Sequence, residues 1–212
     1  MKTYNGEKAI ISLTSWKKRI GTVSKTLFSL VKMCPGFHIV LVLAEEEFPK
    51  KENELPEELM LFVDNDLIEL LWVKKNWKSL KKVLFTMEKY KTVPIISADD
   101  DCIYICNYAE NLYNKWLKNK RCVVRYTFCK SYITQGPCTL YPPGSMSIKE
   151  AKNMMRKLNA DDAIYTDILK SKKIGITYVD KVEDNWPFMF HDEVSPIHGG
   201  AHHMEVYSKC YL

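Results

Sequence analysis

The chain has 212 residues, 46% of them hydrophobic and 27% charged, with a formal net charge of +5. That length suits one domain able to bury a sizeable core. The positive charge is mild and dispersed through lysines, so a solvated surface is expected and a nucleic-acid partner is not; a modest attraction to anions such as a nucleotide diphosphate or lipid headgroups is the sharper reading.

Residues 8–15 (KAIISLTS) read as a first strand, followed by the basic loop Trp16-Lys-Lys-Arg-Ile-Gly21. Residues 22–33 carry apolar side chains at Val23, Leu27, Leu30 and Val31, the spacing of a helix, and Cys34-Pro35-Gly36 stops it. Residues 37–44 (FHIVLVLA) form a nearly continuous apolar run, as in a buried parallel strand. An acidic connection with two prolines leads to a short helix over 55–61, a strand over 67–73 and an amphipathic helix over 77–90 with Leu80, Val83, Leu84 and Met87 inward. A central strand begins near residue 92. The order of elements predicts an α/β fold with parallel crossovers. Further on, the sequence predicts a helix over 108–119, a strand over 122–128, a loop rich in turn residues over 130–147, helices over 148–158 and from 159–162 through Leu169, and a last strand over 174–179. The tail from about 181 has little periodicity and holds four of the five histidines. Nothing marks a domain boundary, so 1–212 is read as a single domain.

Seven cysteines, at 34, 102, 106, 122, 129, 138 and 210, have irregular spacing and no CxxC pair, which argues against a structural zinc site. Met1 to Glu7 lack the apolar core of a signal peptide, and no run approaches the ~20 apolar residues of a membrane span. The expectation is a cytoplasmic protein with reduced thiols.

The stretch 92–106 dominates the reading. Val93, Ile95 and Ile96 lead into Asp99, Asp100 and Asp101, and Ile103, Tyr104 and Ile105 follow. Unpaired carboxylates are costly to bury, so the strand is expected to release them at its C-terminal end, where open α/β sheets bind ligands. On an extended chain Asp99 and Asp101 point the same way, and together they suit one hard cation. The plainer alternative is an acidic turn capping the next helix.

Five segments in this order and spacing, Ile11-Ser-Leu-Thr-Ser-Trp-Lys-Lys-Arg-Ile20, Glu46-Glu-Phe-Pro49, Ser97-Ala-Asp-Asp-Asp101, Tyr141-Pro-Pro-Gly-Ser145 and Ala160-Asp-Asp162, resemble bacterial GT-A-type glycosyltransferases of polysaccharide and lipopolysaccharide biosynthesis. The resemblance spans roughly residues 8–180. It implies a GT-A, Rossmann-like, mostly parallel sheet flanked by helices. It also implies a nucleotide-sugar donor (a UDP-sugar favoured), a glycan or lipid-linked acceptor, and Mn²⁺ or Mg²⁺ held by the DxD motif. Carried over residue by residue, Asp101 becomes the direct metal ligand and Asp99 lies near the ribose or the metal. Asp100 sits between them, toward the sugar. Thr14, Ser15 and Arg19 correspond to the loop that cradles the nucleotide, and Lys81 or Lys82 to a basic residue near the donor. For Arg19 and the two lysines the plainer reading is a solvated cluster or helix face.

The loop at Gly144 corresponds to the wall of the sugar or acceptor pocket, with close backbone approach allowed by the glycine. Asp162, with Asp161 second, corresponds to the general base of inverting enzymes; helix capping is the competing role. His198, with His202 behind it, resembles a third metal ligand in the tail. When the acceptor is lipid-linked, a peripheral contact with the inner membrane surface follows. Two other classes fit parts of the pattern: a metal-dependent phosphohydrolase or nuclease using the Asp99–Asp101 cluster, and a non-catalytic nucleotide-sugar-binding module.

Overall fold

The computed structural model describes residues 8–126, 136–155, 161–179 and 187–190. Their elements run β1 (Ile10–Thr14), α1 (Val23–Met33), β2 (His38–Ala44), a 3-10 turn (Lys51–Glu54), α2 (Glu57–Asp64), β3 (Glu69–Val73), α3 (Leu80–Lys89) and β4 (Ile95–Ser97). Then follow β5 (Cys102–Tyr104), α4 (Tyr108–Leu117), β6 (Val123–Arg125), β7 (Thr139–Tyr141), α5 (Ile148–Met154), α6 (Asp161–Ser171), β8 (Ile176–Tyr178) and β9 (Phe188–Phe190).

Seven strands form one sheet in the order β3-β2-β1-β4-β7-β6-β8. The pairings β1–β2, β2–β3, β1–β4 and β6–β8 are parallel, while β7 runs against both its neighbours. Strand side chains alternate between the two faces, and each face meets its own helices. Ile11, Leu13, Ile39, Leu41, Ile96, Val124 and Leu140 pack with α1, α2 and α4. Ile10, Val40, Val42, Ile95, Val123 and Tyr141 pack with α3, α5 and α6. With both faces covered, β1 and β2 are apolar almost throughout, which is why they read as unbroken runs. Ser12, in the middle of β1, is fully buried. Its hydroxyl meets the Lys82 carbonyl and lies 2.7 Å from Thr86 Oγ1, so α3 supplies the partners that make its burial tolerable.

The winding reverses at β1. The chain passes from β1 through α1 to β2 on one side, and returns through α3 on the other face to place β4 on β1's free edge. The crevice beyond the C-terminal ends of β1 and β4 is therefore the topological switch point of the sheet. This is a Rossmann-like, GT-A arrangement.

Two elements depart from the expectations. Residues 139–141, read as loop, form β7, which separates β4 from β6 and makes the sheet mixed. A three-residue strand, hemmed in by Pro137 and Pro142, is too short to show a period. The apolar stretch after the acids does not continue the central strand. It turns away as β5 and pairs with β9 in a separate two-stranded sheet, Ile103 opposite Met189. The expected strand end at 127–128 and the helical residues 156–160 fall outside the described residues. No helix among the described residues is long and apolar enough to cross a membrane, and the five cysteines described are unpaired thiols.

Candidate active site

Strand β4 ends at Ser97, and the chain turns at Asp100–Asp101. Asp100 and Asp101 therefore sit on a turn rather than on extended chain, and Asp99 takes a different cationic partner from theirs. Asp100 is 7% exposed and faces the loop after β1, not the open crevice. Ser15 Oγ donates to its Oδ2 at 2.6 Å, Arg19 lies 2.9 Å from its Oδ1, and Thr26 of α1 donates to its carbonyl at 2.9 Å. The expectation that Asp100 looks toward a sugar is corrected: its side chain is the buried anchor of the β1 loop. Arg19 also lies 3.0 Å from Asp101 Oδ2, so one guanidinium bridges two carboxylates. Its fixed, always-charged fork suits that role, and its burial removes the solvated-cluster reading.

Asp99 is held differently. Lys82 Nζ pairs with its Oδ1, and its main-chain N–H donates to Tyr104 Oη at 3.0 Å. Gly136 backs its other oxygen so closely that a Cβ there would stand 2.6 Å from Asp99 Oδ2. The sequence marked Gly136 only as a turn residue; its proximity to the acids arises because the start of β7 is drawn against β4, with Ser97 Oγ donating to the Gly136 carbonyl at 2.8 Å.

Burial and the charge of Asp99 push the Asp101 carboxyl up to about 6, with Arg19 opposing the rise. The Lys82 ammonium is almost fully enclosed. Burial acts to lower its pKa, yet the fields of Asp99, Asp161 and Asp162 outweigh it and hold the group above the ordinary lysine range. Asp161 and Asp162, in the first turn of α6, therefore lie near enough for their charges to act on the lysine that pairs with Asp99. Lys81 is buried too, contrary to the solvated-face reading. It donates to Asn76 Oδ1 at 3.2 Å and the Lys78 carbonyl at 3.1 Å, and sits 3.7 Å from Glu47 Oε2. Burial lowers its pKa, against the pull of Glu47 and Asp100. Beside it Glu46, Lys75, Asn76, Trp77, Lys152 and Met155 line an open cavity of about 390 Å³.

The remaining expected residues divide. Thr14 stands at the end of β1 with its hydroxyl donating 2.7 Å to the Val42 carbonyl, which ties β1 to β2. Gly144 lies at the other end of the sheet. Tyr141 pairs with Ile95 at the start of β4, so the turn that follows β7 is remote from the acids. Its positive φ of 65° answers that turn, closed by Ser145 N–H to the Pro142 carbonyl at 3.2 Å, and no atom approaches within 4 Å of a Cβ built there. The pocket-wall role expected for Gly144 is corrected accordingly. His198 and His202 lie outside the described residues.

Among the described residues no group of three or more His, Cys, Asp and Glu side chains is arranged to hold a metal ion. Two carboxylates, Asp99 and Asp101, nevertheless supply hard oxygen donors, and burial first, then the charge of Asp99, raises the Asp101 pKa against the pull of Arg19. That donor chemistry fits a divalent cation such as Mn²⁺ or Mg²⁺.

No protein-family model matches the chain, and neither does the sequence of any curated protein. Solved structures do share its fold. A structure of residues 1–349 of S. aureus TarS matches with a TM-score of 0.55 at 12% identity, over 85% of this chain and 59% of that one. TarS 1–349 in complex with UDP-GlcNAc matches with a TM-score of 0.54 at 12% identity, over 89% and 60%. A cytidylyltransferase from Leptospira borgpetersenii serovar Hardjo-bovis matches with a TM-score of 0.57 at 11% identity, over 95% and 94%. The chain thus spans less than two thirds of the TarS structures and nearly all of the cytidylyltransferase.

Proposed function

We propose that this chain is a glycosyltransferase that moves a sugar from a nucleotide-sugar donor, a UDP-sugar by preference, to a hydroxyl of a glycan or lipid-linked acceptor with inversion at the anomeric carbon. The observation that supports the reading is that two acid sets act on one buried lysine: Asp99, which with Asp101 ends β4, pairs with Lys82, and the charges of Asp161 and Asp162 at the start of α6 reach the same ammonium. Inverting transfer from a nucleotide sugar calls for both a site for the donor diphosphate and a base for the acceptor hydroxyl.

Asp99 and Asp101 would hold the divalent cation, with His198 a candidate third ligand. When bound, the cation supplies Lewis-acid stabilisation of the charge that gathers on the leaving diphosphate. Ser15 and Arg19 fix the β1 loop through Asp100, which gives the nucleotide a preformed wall, and the cavity beside Asn76 and Trp77 offers room for the nucleoside. Asp162 takes the proton from the acceptor hydroxyl as its oxygen bonds to the anomeric carbon. The bond from that carbon to the diphosphate oxygen breaks, and its electron pair leaves with the diphosphate. General-base help of this kind is worth ~10²–10⁴ in rate. With a lipid-linked acceptor the protein works at the inner face of the membrane.

A thermal-shift screen of UDP-, GDP-, CMP- and dTDP-sugars, each with and without Mn²⁺, tests the reading. The expected result is a UDP-sugar shift that needs the metal. A shift with metal alone overturns it in favour of a phosphohydrolase. A shift with CTP and Mg²⁺ but with no sugar nucleotide overturns it in favour of nucleotidyl transfer, the activity named for the structural neighbour of matching length. Specific donor binding without turnover, with candidate acceptors supplied, reduces the chain to a binding module.

A further inference from the structure

We propose that Tyr165 and Lys82 form a latch between α6 and α3, and that this latch sets the separation between the β4 carboxylates and those that open α6. Its catalytic meaning rests on the glycosyltransferase reading; the latch itself does not. Tyr165 is buried, and its hydroxyl donates 3.0 Å to the carbonyl of Leu80, the first residue of α3. Its ring meets Tyr141 of β7 edge-on, with centroids 5.6 Å apart, so it is fixed from a second side. Asp161 and Asp162 precede Tyr165 by four and three residues, the spacings that bring helix side chains onto one face. The face pinned to α3 is therefore the face that carries the candidate base.

Two residues past Leu80, the Lys82 side chain reaches the other half of the site and pairs with Asp99. One turn of α3 thus holds α6 through a backbone carbonyl and β4 through an ammonium. Without that ammonium, Asp99, Asp161 and Asp162 would repel one another across a poorly solvated crevice, and the first turn of α6 would move outward. Burial also pushes the Tyr165 phenol well above its ordinary range, so it remains a donor at any working pH. Both hydrogen-bonding groups are already engaged, Tyr165 with the Leu80 carbonyl and Lys82 with Asp99. Both are positioning residues.

The test uses the full chain and two measurements. Hydrogen exchange is followed across residues 161–171 in Tyr165→Phe, which removes one hydroxyl and leaves the ring. Exchange in the first turns of α6 should quicken about tenfold, the loss of one buried hydrogen bond, while α4 stays as in the parent. Lys82→Met should loosen the same segment, and Lys82→Arg, which restores the charge, should recover part of the protection. The second measurement is Mn²⁺-dependent release of UDP from UDP-GlcNAc. Tyr165→Phe should lower kcat and leave the KM for UDP-GlcNAc unchanged, a split that mere destabilisation does not produce. Unaltered exchange in Tyr165→Phe overturns the latch, whether or not the parent turns over UDP-GlcNAc. Looser α6 with unchanged kcat overturns its positioning role. A parent that neither binds nor cleaves a sugar nucleotide overturns the glycosyltransferase reading instead, and the exchange data still decide the latch.

Discussion

Burial and the neighbouring Asp99 hold the Asp101 carboxyl at about 6, and the sign of that shift makes a prediction. Below that value the group carries a proton which a divalent cation must displace. Affinity for Mn²⁺ should therefore fall about tenfold per pH unit below pH 6 and level off above it. Calorimetry over pH 5–8 measures this, and Asp101→Asn should flatten the profile. Asp101→Ala should abolish Mn²⁺-dependent binding of the nucleotide diphosphate while leaving the fold intact, since Asp100 still pairs with the buried Arg19. Unchanged donor affinity in that variant removes Asp101 from metal binding. Gly136 offers a second test. A methyl group there would stand 2.6 Å from Asp99 Oδ2, so Gly136→Ala should displace that carboxylate. A misplacement near 1 Å costs up to ~10²-fold in rate, to be read as slowed UDP release in a variant that still folds. Normal release would mean that Asp99 has room to retreat. The sequence showed the acids plainly, because three adjacent carboxylates after an apolar run repel one another and so call for cationic partners. It concealed Gly136 and Tyr165, whose contacts with Asp99 and with α3 span sequence distances that no local pattern reports.

At the scale of elements, α6 carries the mechanistic question. Asp162→Asn keeps shape and removes basicity, so kcat should fall by ~10²–10⁴ with the donor KM preserved. Asp161→Asn should cost less if Asp161 serves the helix terminus, because Asn caps about as well as Asp. The reverse ranking transfers the base to Asp161, and near-normal transfer in both removes the pair from the chemistry. The edge strand β3 has an electrostatic tie of its own. Glu69 accepts from His38 at 2.9 Å, from Lys89 at 2.6 Å and from Tyr90. Burial alone would raise its pKa, but these donors prevail and lower it to about 2. A depressed carboxyl stabilises the fold above its unfolded value of 4.5, and that stability is lost as pH falls toward 2. Taken in full the shift corresponds to roughly 3 kcal/mol, and solvent screening at this partly exposed site reduces it to about 1–2 kcal/mol. Glu69→Gln should therefore melt several degrees lower at pH 7, and the difference should close between pH 4.5 and 2 in a calorimetric series. Helices α1, α3 and α4 were legible from their periodicity, whereas the positions of Lys81 and Lys82 were not. On a helical wheel they read as surface; in the fold the first turn of α3 lies beneath the loops after β2 and β3 and against α6.

For the molecule as a whole, the parallel half of the sheet was readable from the alternation of apolar runs and helices, while β7 and the β5–β9 pair were not, because three-residue strands carry no period. The dispersed lysines lead to a test on this scale. If the acceptor is lipid-linked, the protein should be retained on vesicles containing anionic lipid at low salt and released at high salt, as expected for surface charge screened beyond a Debye length of ~10 Å at 0.1 M. Equal retention on neutral vesicles would point to another attachment. The insertion of β7 between β4 and β6 also bears on how the molecule comes into being. As the chain emerges from a ribosome, β1 to β4 can pair in turn and Asp99–Asp101 are soon in place, but the far edge of β4 stays open until some forty residues later. Until then it is an unsatisfied strand edge, able to recruit another chain. The helix bearing Asp161 and Asp162 arrives later still. The part of the crevice assigned to the donor is thus assembled before the part assigned to the acceptor, and a nascent chain stalled in between has the acids for a metal but no base to act with.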